Sequence, residues 1–248
     1  MFETILIQPI YNVFIFLIGI MPGGNVGLAI VALTLLIRAL FYPAFAASIR
    51  TQMGMQAIQG ELDDINKQYK DNPEERAKKT MALYTEHKVR PFSGFLALFV
   101  QIPVFIALYF AFFHEGLPNI ATHLLYSFVH APNVVDVHFF GLVNLLSPHN
   151  IALAILVAAL QYGVARLSLG RMSQSSPSVQ PEKQAAQKLQ QQMMLYFLPG
   201  LMGVVSYSLP AAVGLYFSTT NIASLGQEWI IRGQNNSKIK TINKTESA

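Results

Sequence analysis

No cysteine occurs anywhere in the 248 residues. That excludes disulfide frameworks, thiolate metal sites, cysteine nucleophiles and a lipid-modified N-terminal cysteine. Charge is scarce as well. Asp, Glu, Lys and Arg make up 12% of the chain, where soluble domains carry about 25%. So little charge argues against a soluble enzyme, against disorder, and against a domain that tracks nucleic-acid phosphates with a basic face; no sequence-specific nucleic acid is expected as a partner. What fills the gap is apolar: 52% of the residues are hydrophobic and mean hydropathy is +0.39. This is the composition of a polytopic membrane protein.

Catalytic constellations are also missing. The sequence has no paired carboxylates within its apolar stretches, no HExxH, no GxSxG and no glycine-rich phosphate loop with a lysine. Five of the six histidines (His114, His123, His130, His138 and His149) fall in or beside one loop, at spacings that give no i,i+4 ligand pair. We expect no catalytic residues, no metal and no cofactor, hence no enzyme. Inverted repeats of the transporter kind are not apparent.

Five apolar stretches are present: 26–47, 92–113, 151–167, 193–209 and 211–231. Crossing a bilayer core takes about 20 mostly apolar residues, and lipid forces backbone groups to pair internally, so these read as transmembrane helices. Pro210 makes the last two a tight hairpin. The seventeen basic residues set the orientation. Eight lie between Arg50 and Arg90. Arg166, Arg171, Lys183 and Lys188 accompany the loop after the third stretch, and Arg232, Lys238, Lys240 and Lys244 the tail. Apart from Arg38, none lies elsewhere: 114–148 and 1–25 contain no Lys or Arg. An outside N-terminus and a cytoplasmic C-terminus fit every count.

The fold class is therefore all-α and polytopic, with five transmembrane helices, an N-terminal interfacial amphipathic helix over 1–25 and a cytoplasmic helical hairpin over 48–91. An external loop occupies 114–150, a cytoplasmic loop 168–192 and a basic cytoplasmic tail 232–248. The segment 5–21 is apolar, but no positive residue precedes it and no small-residue cleavage pattern follows. Thr4, Gln8 and Asn12 recur every four residues and draw a polar stripe down one face, which favours a helix lying in the outer interface; a sixth span is the alternative. In the hairpin, Met55, Ile58, Leu62, Ile65 and Tyr69 follow the 3,4 spacing of a coiled-coil seam. Asn72 and Pro73 suit the start of a second helix, on which Ala77, Met81, Tyr84 and Lys88 continue the seam.

Arg38 is the informative residue. It lies past the midpoint of the first span, where a guanidinium costs roughly 2.5–3.5 kcal/mol on insertion scales. No Asp or Glu falls inside any apolar core, and Glu228 sits near the end of the last span. Snorkelling to the inner surface is one reading. The other is a hydrated cationic pocket, and Thr34, Gln101, Gln161, Ser206, Ser218, Thr219, Thr220, Asn221 and Ser224 supply the polar side chains for it. Each alone is ordinary interhelical hydrogen bonding; together they favour the pocket. Arg38 could then serve an anion transporter or channel, or a purely structural scaffold could merely tolerate it.

Several segments resemble one family closely. Thr34-Leu-Leu-Ile-Arg38 with Pro43, Tyr69-Lys-Asp-Asn-Pro73, Gln101-Ile-Pro-Val-Phe-Ile-Ala-Leu-Tyr109, Gln191-Gln-Met-Met194 with Pro199, and Gly214-Leu-Tyr216 with Asn221 occur in order. They resemble the core of the YidC-type membrane protein insertases. The resemblance implies a five-helix insertase in the bacterial plasma membrane, with a groove open to cytoplasm and lipid but closed outside. Arg38 and Thr34 would line that groove, with Gln101, Gln161, Ser218, Asn221 and Tyr216 as further substrate-groove residues. Implied partners are nascent membrane proteins, the lipid bilayer, the Sec translocon and, weakly and co-translationally, the ribosome. The hairpin would help recruit substrates. Phe217 stands where the family often carries a second aromatic hydroxyl.

Overall fold

The computed structural model describes residues 7–90, 93–114, 116–169 and 189–246. Thr4 and most of the 168–192 loop lie outside them. The described chain is mainly helical. Its helices are α1 (Gln8–Ile20), α2 (Val26–Leu40), α3 (Tyr42–Ala57), α4 (Gln59–Gln68), α5 (Pro73–Glu86), α6 (Ser93–Tyr109), α7 (Ile151–Leu169), α8 (Leu198–Ser208) and α9 (Ala211–Glu246). The described strands form a single antiparallel hairpin, β1 (His138–Phe139) with β2 (Val143–Asn144). Two compact units result. One draws on 1–42, 98–161 and 199–223, the other on 43–97, 162–198 and 224–248.

The helix limits depart from the apolar stretches at several points. The first stretch breaks at Phe41, where α2 ends and α3 begins, so 26–47 is not one uninterrupted helix. The second ends in a π-helical turn, Phe110–His114, and carries Pro103 inside α6. The fourth opens with another π turn, Met193–Phe197, before α8. Wide turns of this kind absorb an extra residue in an α-helix. The fifth runs on past Ile231 into the tail as a continuous helix. Taken singly among the described residues, α7 is the one helix that is long and apolar enough to cross a bilayer, and α2 with α3 passes only as a broken pair. On α7, Ile151 and Ile155 are 62% and 64% exposed. A helix apolar all round that leaves such residues uncovered is suited to lipid rather than water.

In the first unit, Tyr11, Phe14, Ile15 and Ile18 of α1 pack with Ile30 and Leu33 of α2 in one apolar cluster that also takes in Val104 and Tyr216. The polar stripe of α1 does not face solvent. Asn12 is buried; its Nδ2 donates to the Leu124 carbonyl (2.8 Å) and its Oδ1 accepts from the Tyr126 N–H (2.7 Å). Gln8 Nε2 donates to the same Leu124 carbonyl (3.0 Å). The stripe thus binds the backbone of the 114–150 loop, whose turns leave carbonyls and amides without helical partners.

That loop is fastened at three further points. Asn25 caps α2 by accepting from the Leu28 N–H (3.0 Å), while its Nδ2 donates to Asp136 Oδ2 and the His138 carbonyl. The Val26 N–H reaches the Asp136 carbonyl (2.9 Å), and the Asp136 N–H the Gly24 carbonyl (3.0 Å). Gly24 is required here: its φ is +65°, and a Cβ would lie 2.0 Å from the Val134 oxygen. On α9, the orphan N–H groups of Ala211 and Ala212 donate to the carbonyls of Ser147 and Leu145 (3.0 Å each).

In the second unit, Ile58, Leu62, Leu83 and Val89 are buried together, with Met55, Ile65 and Tyr84 packed against them. The predicted seam through Met81 is displaced: Met81 is 54% exposed, and Leu83 and Val89 take the inner positions. Asn72 caps α5 by accepting from the Glu75 N–H (3.1 Å). The short turn before Pro73 sets which face of α5 meets α4, and a heptad count carried across that turn does not.

Candidate functional site

Arg38 lies in the last turn of α2 and is 9% exposed. Its guanidinium interacts electrostatically with Tyr216 of α9, which is 2% exposed. The Tyr216 hydroxyl accepts a hydrogen bond from Gln101 Nε2 of α6, and Thr220 stands one turn along α9 on the same face. Three helices therefore meet around one cation through neutral polar groups. Thr34, one turn before Arg38, is buried and donates to its own helix at the Ile30 carbonyl (2.7 Å). This back-bond satisfies the hydroxyl locally.

Ser218 and Asn221 do not belong to that face. Successive helical residues turn by about 100°, so Ser218 points roughly 200° away from Tyr216. Gly214, Ser218 and Asn221, spaced 4 and 3, share the other side of α9. There a Cβ on Gly214 would sit 2.6 Å from the Ser206 Oγ of α8 and 3.1 Å from the Leu153 Cβ of α7. Ser206 Oγ, Ser218 Oγ and Asn221 Nδ2 are buried without a hydrogen-bond partner among the described residues. Gln161 is half-buried on α7 and takes no part in the Gln101–Tyr216 hydrogen bond. The predicted pocket residues thus divide between two faces of α9. Thr220, on the Tyr216 face, was among the pocket's polar side chains but not among the substrate-groove residues that the resemblance implies. Its i,i+4 spacing from Tyr216 was the available signal.

Arg232 and Glu228 form a separate polar knot. Arg232 Nη2 lies 2.6 Å from Glu228 Oε1 and donates to the Leu167 carbonyl (2.7 Å). Ser168 Oγ reaches Glu228 Oε2 (3.4 Å), and Gln56 Nε2 of α3 donates to the Ser168 carbonyl. The last carbonyls of α7, orphaned by the end of the helix, are thereby capped by side chains from α9 and α3, with a cation at the negative pole. The i,i+4 order of Glu228 and Arg232 made this pair readable in the sequence. Among the described residues, no group of three or more His, Asp or Glu is placed to hold a metal.

A profile of the family described as 60Kd inner membrane protein matches residues 17–238. The chain belongs to that family. Curated relatives include proteins named Membrane protein insertase YidC from Francisella tularensis subsp. novicida (strain U112) and subsp. tularensis (strain SCHU S4 / Schu 4). Each is 32% identical over 208 residues, covering 84% of this chain and 32% of the relative. The chain spans about a third of the length of the curated relatives it matches.

Proposed function

We propose that this chain is a membrane protein insertase that passes segments of nascent membrane proteins from the cytoplasm into the bilayer. The observation that carries the reading is a buried arginine set against Tyr216, whose hydroxyl accepts from Gln101, within apolar helices. The positive charge of that arginine can draw an acidic or polar client segment part-way into the membrane. Membership of the 60Kd inner membrane protein family supports it. In this reading the stretches 26–47, 92–113, 151–167, 193–209 and 211–231 supply five spans, with the N-terminus outside and the C-terminus cytoplasmic. The 48–91 hairpin meets clients, and the chain works alone or beside the Sec translocon and the ribosome.

Attraction between hydrated charges about 4 Å apart supplies on the order of 1 kcal/mol. Apolar transfer of the client into lipid supplies the rest, at about 25 cal/mol per Å² of buried area. No nucleotide-driven step enters this scheme.

Reconstitution in liposomes tests it. A client with an acidic loop should insert poorly with Arg38→Ala and largely normally with Arg38→Lys, because a point charge suffices where no planar fork is needed. A neutral client should depend less on either. Equal insertion by the wild type and Arg38→Ala, for both clients, would leave Arg38 as a snorkelling anchor and remove the mechanism. The orientation has its own check: Asn133→Cys should react with an impermeant reagent in intact cells, and Asn72→Cys should not.

A further inference from the structure

The β1–β2 hairpin turns through two consecutive residues with positive φ, Phe140 at +50° and Gly141 at +69°, and closes with the Leu142 N–H on the Phe139 carbonyl (3.1 Å). Turns that need this backbone ordinarily take Asn or Asp before Gly, since a bulky side chain in the left-handed region is strained. Phenylalanine holds that place here, and internal packing does not explain it. Phe140 is 69% exposed and Leu142 87%, and the described aromatic contact of Phe140 is with its neighbour Phe139. In water, such a tip would combine backbone strain with bare apolar surface.

Its height in the fold suggests what covers it. Phe139 lies across the first turn of α2, where a Cβ on Gly27 would stand 2.2 Å from its ring. The adjoining strand ends bond to Val26 at the start of α2 and, through Leu145, to Ala212 at the start of α9. The tip is therefore pinned level with the ends of two apolar helices. The 114–148 segment around it has no Lys or Arg. Tryptophan and tyrosine are enriched where hydrocarbon meets headgroups, and phenylalanine and leucine supply the buried face of segments that lie in that interface.

We propose that Phe140 and Leu142 form an anchor seated in the headgroup interface of the bilayer leaflet on the side of the 114–150 loop. The assignment rests on the reading of α2 and α9 as spans. Phe140→Trp, in full-length protein carrying Trp229→Phe and reconstituted in phosphatidylcholine vesicles, tests it directly. Emission should be blue-shifted, and it should fall more with lipids spin-labelled near the headgroup than with lipids labelled at the chain end. Quenching by aqueous iodide with none from labelled lipid would overturn the anchor, as would stronger quenching from the chain end. A second pair of variants excludes a merely tolerated phenylalanine. Leu142→Trp should lose headgroup quenching when Phe140→Asn is added, although asparagine suits the turn better; unchanged quenching would overturn the role of Phe140. Labelling of Asn133→Cys from the cytoplasmic face alone would break the orientation, and headgroup quenching would then still support the anchor, in the other leaflet.

Discussion

Two arginines show two ways of keeping a cation away from water. Arg232 has a carboxylate at 2.6 Å and a helix-end carbonyl at 2.7 Å, so its charge is neutralised and its donors are used in building the molecule. Arg38 is the more buried, and its described contact is with a phenol whose own hydroxyl accepts from Gln101. The first arrangement cancels charge and binds helix ends together. The second sets a cation against a phenol and an amide and brings three apolar helices together.

The largest expected effect is on the architectural pair. Arg232→Ala strands Glu228, whose side chain is 5% exposed, and removing one partner of a buried pair costs about 3–5 kcal/mol. Thermal melting in detergent should show a clear loss. Arg38→Ala, which removes the contact with the Tyr216 phenol and leaves that group its bond from Gln101, should lose less. If the two variants melt equally early, the contrast between the arginines collapses.

Tyr216→Phe sharpens the contrast with a smaller effect. It keeps the ring and deletes the acceptor used by Gln101, so a cost of about 1–3 kcal/mol follows from an unsatisfied buried donor. Insertion of an acidic client should fall less than with Arg38→Ala, since the cation remains. A larger fall would make the phenol, not the guanidinium, the principal group.

Asp136 gives the smallest effect and a pH dependence. Its carboxyl is held below the usual carboxylate range, first by the His138 backbone N–H and then by the Asn25 amide and the His138 side chain. With the folded value depressed, its contribution is present above the unfolded value and fades as pH falls through the folded one. Protection factors at the Asp136 and Val26 amides, with the intrinsic pH dependence of exchange divided out, should fall as pH drops through the depressed Asp136 value. Asp136→Asn should abolish that dependence. Protection factors flat with pH in the wild type would show that the carboxylate does not hold the loop.

Much of this was legible in the sequence where a single residue dictates local geometry. Asn72 before Pro73 marks the start of α5, and Pro210 separates α8 from α9. Arg38 stood out because a charge in an apolar run is expensive wherever it lies. The division of the polar residues between two faces of α9 was hidden, because the fixed 100° step gives relative directions but not which neighbour each direction meets. The break at Phe41 was equally invisible: Pro43 drew attention, yet the chain interrupts its helix before the proline. The fate of Gln8 and Asn12 could not be foreseen either, since their partners are backbone groups of a distant loop rather than side chains with a recognisable pattern.

Those last bonds have a consequence for how the molecule is made. The Asn12 amide finds its acceptor 112 positions further along the chain, and the Asn25 amide waits for residues 136 and 138. Contacts of such high sequence separation require the intervening chain to be looped before they return any free energy. During synthesis, α1 and α2 therefore emerge with polar groups whose final partners do not yet exist, and those bonds close only after the loop that follows α6 has been made. The beginning of the chain is tied down by its middle.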